Sequence, residues 1–263
     1  MPGQAVGSTP GGSAGFYGKV PSHGDFISRR LPRGFLEPWD RWLQTALACS
    51  REQLAGTWLQ TYLTSPLWRF VLSPGVCGEQ AWAGVLMPSV DRVGRYFPLT
   101  LAHPLPNSAN PLTTMSSAGT WFSAAETLVL NSLEDGFQLE HFDAETEALQ
   151  LPVDSIPTPA QTAAGPGPHN NAWHLGLPAS SQLESICPEL SRQLLTELFF
   201  AYSLWWTSGS EQVQPSLLIA QGLPPMQGFA GLLDGRWGQW GWQERSLNGV
   251  WTASGPGSPG LPL

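Results

Sequence analysis

The sequence predicts a sheet covered by helices, of α/β or α+β type, and of these the α/β fold, a three-layer α-β-α sandwich with a mixed central sheet, is the one expected. Two observations lead there. Apolar runs with strand character alternate with stretches of helical periodicity along the chain, the pattern of a sheet covered by helices. The 13 Trp and 11 Phe among 263 residues supply the apolar volume for a substantial core. The stretch that organises the rest is GVLMPSVDRVGRYFPLTL, Gly84 to Leu101. Trp82 to Met87 reads as a buried strand, the chain breaks at Pro88-Ser89, and Tyr96 to Leu101 reads as a second strand.

In chain order, Gly15 to Val20 is expected as the first strand, followed by Pro21 to Phe26, a loop with turn residues at nearly every position. Leu36, Trp39, Leu43 and Leu47 fall at helical spacing, with Trp42 and Ala46 widening the stripe, so a helix is expected over Leu36 to Ala48. Pro38 suits only a first turn and sets that start. A second helical piece spans Glu52 to Leu63, and Leu67 to Leu72 reads as a strand. Trp121, Phe122, Ala125, Leu128, Val129 and Leu133 mark a helix running to about Asp135, with Gly136 as its stop. The acidic stretch Glu134 to Glu147 reads as a solvated helix end and loop. Leu190, Leu194, Leu198, Phe199 and Tyr202 again have helix spacing. Leu204 to Thr207 and Ser216 to Ala220 are expected as closing strands, and Leu223 to Leu233 as a short helix ending at Gly235.

Gly and Pro, 29 and 25 residues, concentrate in three places. Residues 1–14 are expected to be a disordered head, about 143–171 a loose Pro/Gly-rich insertion, and 243–263 a mostly disordered tail. A single domain is expected over 15–242. The net charge of −8 is uneven: residues 1–95 carry nine Lys and Arg against six Asp and Glu, and the remainder three against fourteen. An acidic whole argues against nucleic-acid and membrane-surface binding, which rely on a dense cationic face. The arginine-rich first third has two outlets, an acidic partner or pairing with the acidic remainder. Cys49, Cys77 and Cys187 form no metal or disulfide pattern, there is no signal-peptide pattern, and no apolar run reaches membrane-spanning length. A cytoplasmic protein is expected.

The search for chemistry finds little. GFYGK lacks the spacing of a phosphate loop and the hydroxyl after its lysine. There is no GxSxG elbow, and the five histidines show no metal-binding spacing. No catalytic, cofactor or metal residue is assigned, and a non-enzyme is expected. Two polar loops remain, Pro21 to Arg30 and Pro88 to Arg95. The second packs Asp91, Arg92 and Arg95 around Gly94 in a chain with 12% charged residues. A charge beside a core is paired or hydrogen-bonded, so Asp91 is expected to pair with one of the arginines. Arginines at strand ends also suit bidentate capture of a phosphate or carboxylate. Both readings stand: an internal lock between the loops, or a binding site near Asp25, Arg92 and Arg95. Trp205-Trp206 reads first as core.

GFYGKVPSHGDFISRRLP (Gly15 to Pro32), WDRWLQ (Trp39 to Gln44), SPLWRF (Ser65 to Phe70), Gly84 to Leu101, LWWTSGS (Leu204 to Ser210) and FAGLLDGRWGQWGW (Phe229 to Trp242) together resemble the TagF family, accessory proteins of bacterial type VI secretion. The resemblance runs from about Gly15 to Trp242. It implies an α/β three-layer sandwich, a cytoplasmic location and a post-translational regulator, in most described cases a repressor. It also implies a link to the forkhead-associated scaffold of that system. Some relatives carry a fused PP2C-type phosphatase, and none is expected here. The family's recurrent charged positions fall here on Lys19, Asp25, Asp91, Arg92 and Arg95, with no catalytic role attached.

Overall fold

A computed structural model describes residues 12–106, 108–152 and 183–245. The head up to residue 11, residues 153–182, which take in most of the expected insertion, and the tail from 246 lie outside the described residues. Ala14, at the end of the expected head, is fully buried. Strand β1 (Gly15–Gly18) turns back into β2 (Ile27–Arg29). Helix α1 (Arg33–Leu54), a 3-10 turn and α2 (Trp58–Leu63) follow. Strands β3 (Trp68–Leu72), β4 (Ala81–Met87) and β5 (Leu99–Leu105) come next. The chain continues through α3 (Pro111–Ser117), α4 (Gly119–Asn131), α5 (Leu139–Ala148) and α6 (Leu183–Phe199). Strands β6 (Tyr202–Thr207) and β7 (Ser216–Gln221), then α7 (Phe229–Asp234), complete it.

The content is α/β as expected, but the sheet is not mixed. Seven strands lie in the order β2-β1-β5-β4-β3-β6-β7, and every neighbouring pair is antiparallel. The reason lies in the connections. The helical crossovers run from β2 to β3 and from β5 to β6, pairs that are not neighbours, whereas parallel pairing arises when a helix joins adjacent strands. Chain neighbours that do pair, such as β3 with β4 and β4 with β5, do so as direct antiparallel returns.

Two apolar clusters use alternate residues of the same strands, as the two-residue period of a strand requires. Phe35, Trp39, Trp42 and Leu43 of α1, Tyr62 of α2 and Phe229 of α7 pack on Phe70, Trp82 and Trp205. Trp121, Phe122 and Val129 of α4 and Phe142 of α5 pack on Phe16, Val71, Ala83 and Leu99. Trp205 is wholly buried, while half-buried Trp206 meets Phe122 edge-on.

Local departures have local causes. α1 begins at Arg33 and places Pro38 in its second turn, and it runs on past Ala48 because Ser50 and Leu54 continue the buried stripe. β5 begins at Leu99 and not at Tyr96: Pro98 has no N–H to donate, and Tyr96 instead bridges back to Val90. α4 stops at Asn131. The acidic stretch, expected as a solvated helix end and loop, contains α5, because Leu139, Phe142 and Thr146 are buried on one side of it. Residues 143–148 of the expected loose insertion therefore belong to a helix. α7 ends where expected, with Gly235 left-handed at φ 72°.

Candidate functional site

The loop after β1 and the elbow between β4 and β5 meet at one end of the sheet. Gly18 makes the meeting close. Its φ is 146°, and a Cβ there would lie 2.1 Å from the Pro98 carbonyl oxygen. The base of the elbow is fixed to both neighbours. The Tyr62 hydroxyl of α2 donates to the Ser89 carbonyl and accepts from the Ser89 N–H, each at 2.9 Å, and Ser89 Oγ donates to the Lys19 carbonyl at 2.7 Å.

Asp91 is the centre of the elbow. Its Oδ2 accepts from Lys19 Nζ at 2.6 Å and from Arg95 Nε at 2.7 Å. Its Oδ1 accepts the backbone N–H of Val93 at 3.0 Å and of Arg95 at 2.8 Å. The turn is closed by Asp91 N–H to the Arg95 carbonyl and Gly94 N–H to the Asp91 carbonyl, with Gly94 at φ 84°. Both Lys19 and Asp91 are buried. Burial by itself raises a carboxyl pKa, but the hydrogen bonds from Lys19, the Arg95 backbone and side chain, and Val93 outweigh it and hold Asp91 well below the usual carboxylate range. With both oxygens doubly engaged, Asp91 is an ionised structural acceptor and has no lone pair to spare for a ligand.

The outer side chains differ. Arg92 donates its backbone N–H to the His23 carbonyl at 3.0 Å, and its guanidinium lies beside Gly24. It forms no hydrogen bond or ion pair among the described residues. Arg95 Nη2 donates to the Gly24 carbonyl and lies 3.8 Å from Asp25, but 56% of the Arg95 side chain is exposed and Asp25 is fully so. Val93 is 66% exposed and Phe26 47%. Phe26 rests on a small aromatic group, stacked on Tyr17 at 5.5 Å and edge-on to Phe97 at 4.8 Å, with Lys19 Nζ 4.9 Å above its ring. Tyr17 ties this group to α1 by donating to Asp40 Oδ1 at 2.6 Å. Burial, and then Asp40, push its phenol pKa up.

The five sequence-derived residues are thus brought together in two roles. Lys19 and Asp91 are inside, Arg95 spans the boundary, and Asp25 and Arg92 are outside. Sequence reasoning passed over Ser89 and Tyr62, which anchor the elbow, and Phe26 and Val93, whose signal was an apolar residue placed in an otherwise polar loop. Elsewhere the buried Cys77 thiol is pushed up to about 12 by burial, the reverse of an activated nucleophile. Among the described residues no group of His, Cys, Asp and Glu has metal-binding geometry, and no helix is long and apolar enough to cross a membrane. A cleft of about 400 Å³ between the end of α4 and α5 is acidic, lined by Glu134, Asp135, His141 and Glu145 among others.

Comparison with curated proteins gives no match. The crystal structure of PA0076 from Pseudomonas aeruginosa PAO1 superposes with a TM-score of 0.71 at 34% sequence identity, covering 95% of this chain and 100% of that one. The family model for the TagF N-terminal domain, type VI secretion system-associated, matches residues 15–149, a span that contains both loops and the whole Lys19–Asp91–Arg95 cluster. The chain belongs to the TagF N-terminal domain family of type VI secretion system-associated proteins.

Proposed function

We propose that this protein is a non-enzymatic, cytoplasmic, post-translational repressor of a bacterial type VI secretion system, acting by contact with a component such as the forkhead-associated scaffold. Family membership carries the reading, because a secretion-associated domain spans the two loops. The geometry supports it. Asp91 is consumed together with Lys19 in holding a loop, while Asp25, Arg92 and Val93 beside it face outward. The same reading takes 15–242 as one domain of three layers, with the two apolar clusters on opposite faces of the sheet.

The test is a deletion strain complemented at normal and raised copy number. Type VI-dependent secretion rises on deletion, falls with extra copies, and the scaffold co-purifies with the protein. Secretion unchanged in both strains rejects the regulator. The unpaired guanidinium of Arg92, next to Arg95, favours a second reading, a phosphate-binding domain with a site near Asp25, Arg92 and Arg95. Inorganic phosphate at about 100 times its dissociation constant then stabilises the fold by about 2.7 kcal/mol. A flat thermal-shift titration rejects it.

A further inference from the structure

The tip of the elbow, Arg92-Val93-Gly94-Arg95, combines a fixed backbone with exposed side chains. Its backbone is held by five bonds: two N–H groups on the Asp91 carboxylate, two closing turn bonds and the Arg92 N–H on His23. Yet of the tip's side chains Arg95 alone is engaged among the described residues, by Asp91 Oδ2, the Gly24 carbonyl and, at 3.8 Å, Asp25, and 56% of it stays exposed. Arg92 is unpaired among the described residues, Val93 is mostly exposed, and Phe26 of the neighbouring loop, held in place by Tyr17 and Phe97, is half exposed. For stability alone a buried Lys–Asp pair is a poor choice, since apolar residues of similar volume do as well or better. What the pair supplies here is a fixed loop shape. A fixed loop loses little conformational entropy on binding, and apolar side chains flanked by arginine are the composition of interface centres.

We propose that Arg92, Val93, Arg95 and Phe26 form a preorganised docking surface for an acidic polypeptide segment that carries apolar side chains among its carboxylates. The inference rests on the regulator reading above and names the chemistry of its partner. Charge complementarity selects the occupant: Arg29, Arg30 and Arg69 of the basic first third pair with Asp143 and Glu126, whereas at the elbow Lys19, Arg92 and Arg95 stand with Asp91 and Asp25, three positive charges against two, and the two guanidiniums are at the tip. Carboxylates of the partner take the guanidinium forks, and its apolar side chains cover Val93 and Phe26.

The experiment is selection of a phage-displayed random dodecapeptide library on the full chain, followed by anisotropy titrations with the enriched peptides. Enriched sequences are expected to be rich in Asp and Glu interspersed with Leu, Ile or Phe. Their affinity falls as salt rises and drops by about tenfold or more on Arg92→Glu/Val93→Ser, whose exposed side chains leave the thermal midpoint in place. Enrichment of basic or neutral sequences, equal binding to the variant, or no enrichment at all overturns the proposal. So does a dimer in sedimentation equilibrium that the same variant dissolves, for then the occupant is a second copy, through its acidic α4–α5 cleft. Deletion-strain secretion is read separately: altered secretion with failed peptides removes this surface and keeps the regulator, whereas unaltered secretion removes the regulator itself.

Discussion

Asp91 is an anion enclosed by donors, and its energetics follow from that enclosure. Asp91→Leu leaves the buried Lys19 ammonium without its carboxylate, and Lys19→Met takes from Asp91 one of its two charged donors, so each lowers stability. Because an apolar pair of similar volume needs no solvation, Lys19→Met/Asp91→Leu is expected to be more stable than either single variant while losing the loop shape. Urea denaturation of the four proteins gives the cycle, and additive losses would contradict the pairing. The sign of the pH dependence is fixed by the depressed folded-state pKa. The contribution of Asp91 is complete above the unfolded carboxylate value of about 4 and is lost as pH falls from there toward the lower folded value. Urea midpoints measured on the acid side should fall less steeply for Asp91→Asn than for the parent. Sequence made half of this visible: Arg95 lies four positions from Asp91, within reach in any tight turn, but Lys19 is 72 positions away and was reached only through family resemblance.

At the level of elements, close packing of β4 rests on a glycine. A Cβ on Gly84 would lie 2.4 Å from both the Leu101 carbonyl oxygen and the Phe70 ring, so Gly84→Ala is expected to cost about 1–3 kcal/mol through overpacking. Trp39 of α1 is fully buried against the sheet, with its indole N–H donated to Thr100 Oγ1 at 2.9 Å. Trp39→Ala should cost about 3–5 kcal/mol. Thr100→Val keeps the shape but strands a buried donor, for about 1–3 kcal/mol. Denaturant midpoints check all three, and a Thr100→Val loss as large as that of Trp39→Ala would mean that packing is not what the tryptophan contributes. α1 was legible because its apolar period is long. α5 was not, because charge dominated its composition and the three positions that matter, Leu139, Phe142 and Thr146, are diluted among carboxylates. The chain's two sheet edges also differ: β2 has three residues, while β7 has six with Leu217 and Ile219 exposed and no charge among them.

In the whole molecule, the region matched by the family model stops at residue 149, inside the architecture and not at its border. β6, which pairs with β3, lies beyond it, and so does Trp205, which stacks on Trp39 at 5.8 Å and packs on Phe70 at 5.1 Å. A fragment of residues 12–152 is therefore expected to bind ANS and to associate in sedimentation, unlike the full chain. A monomeric, cooperatively unfolding fragment would show that β6 and β7 are accessory. This arrangement was beyond reading from sequence. Individual strands announce themselves by composition, but nothing local states that β1 will lie against β5 or that a strand after four more helices will return to β3.

That return has a consequence for the birth of the chain. Phe70 pairs with Trp205, 135 positions later, so a ribosome working at roughly 5–20 residues per second needs on the order of ten seconds to deliver the missing strand. Throughout that interval β3 waits with open backbone groups and apolar side chains, in a crowded cytosol full of other nascent strands. One edge of β3 therefore stays a template for wrong pairing for as long as β6 is unmade.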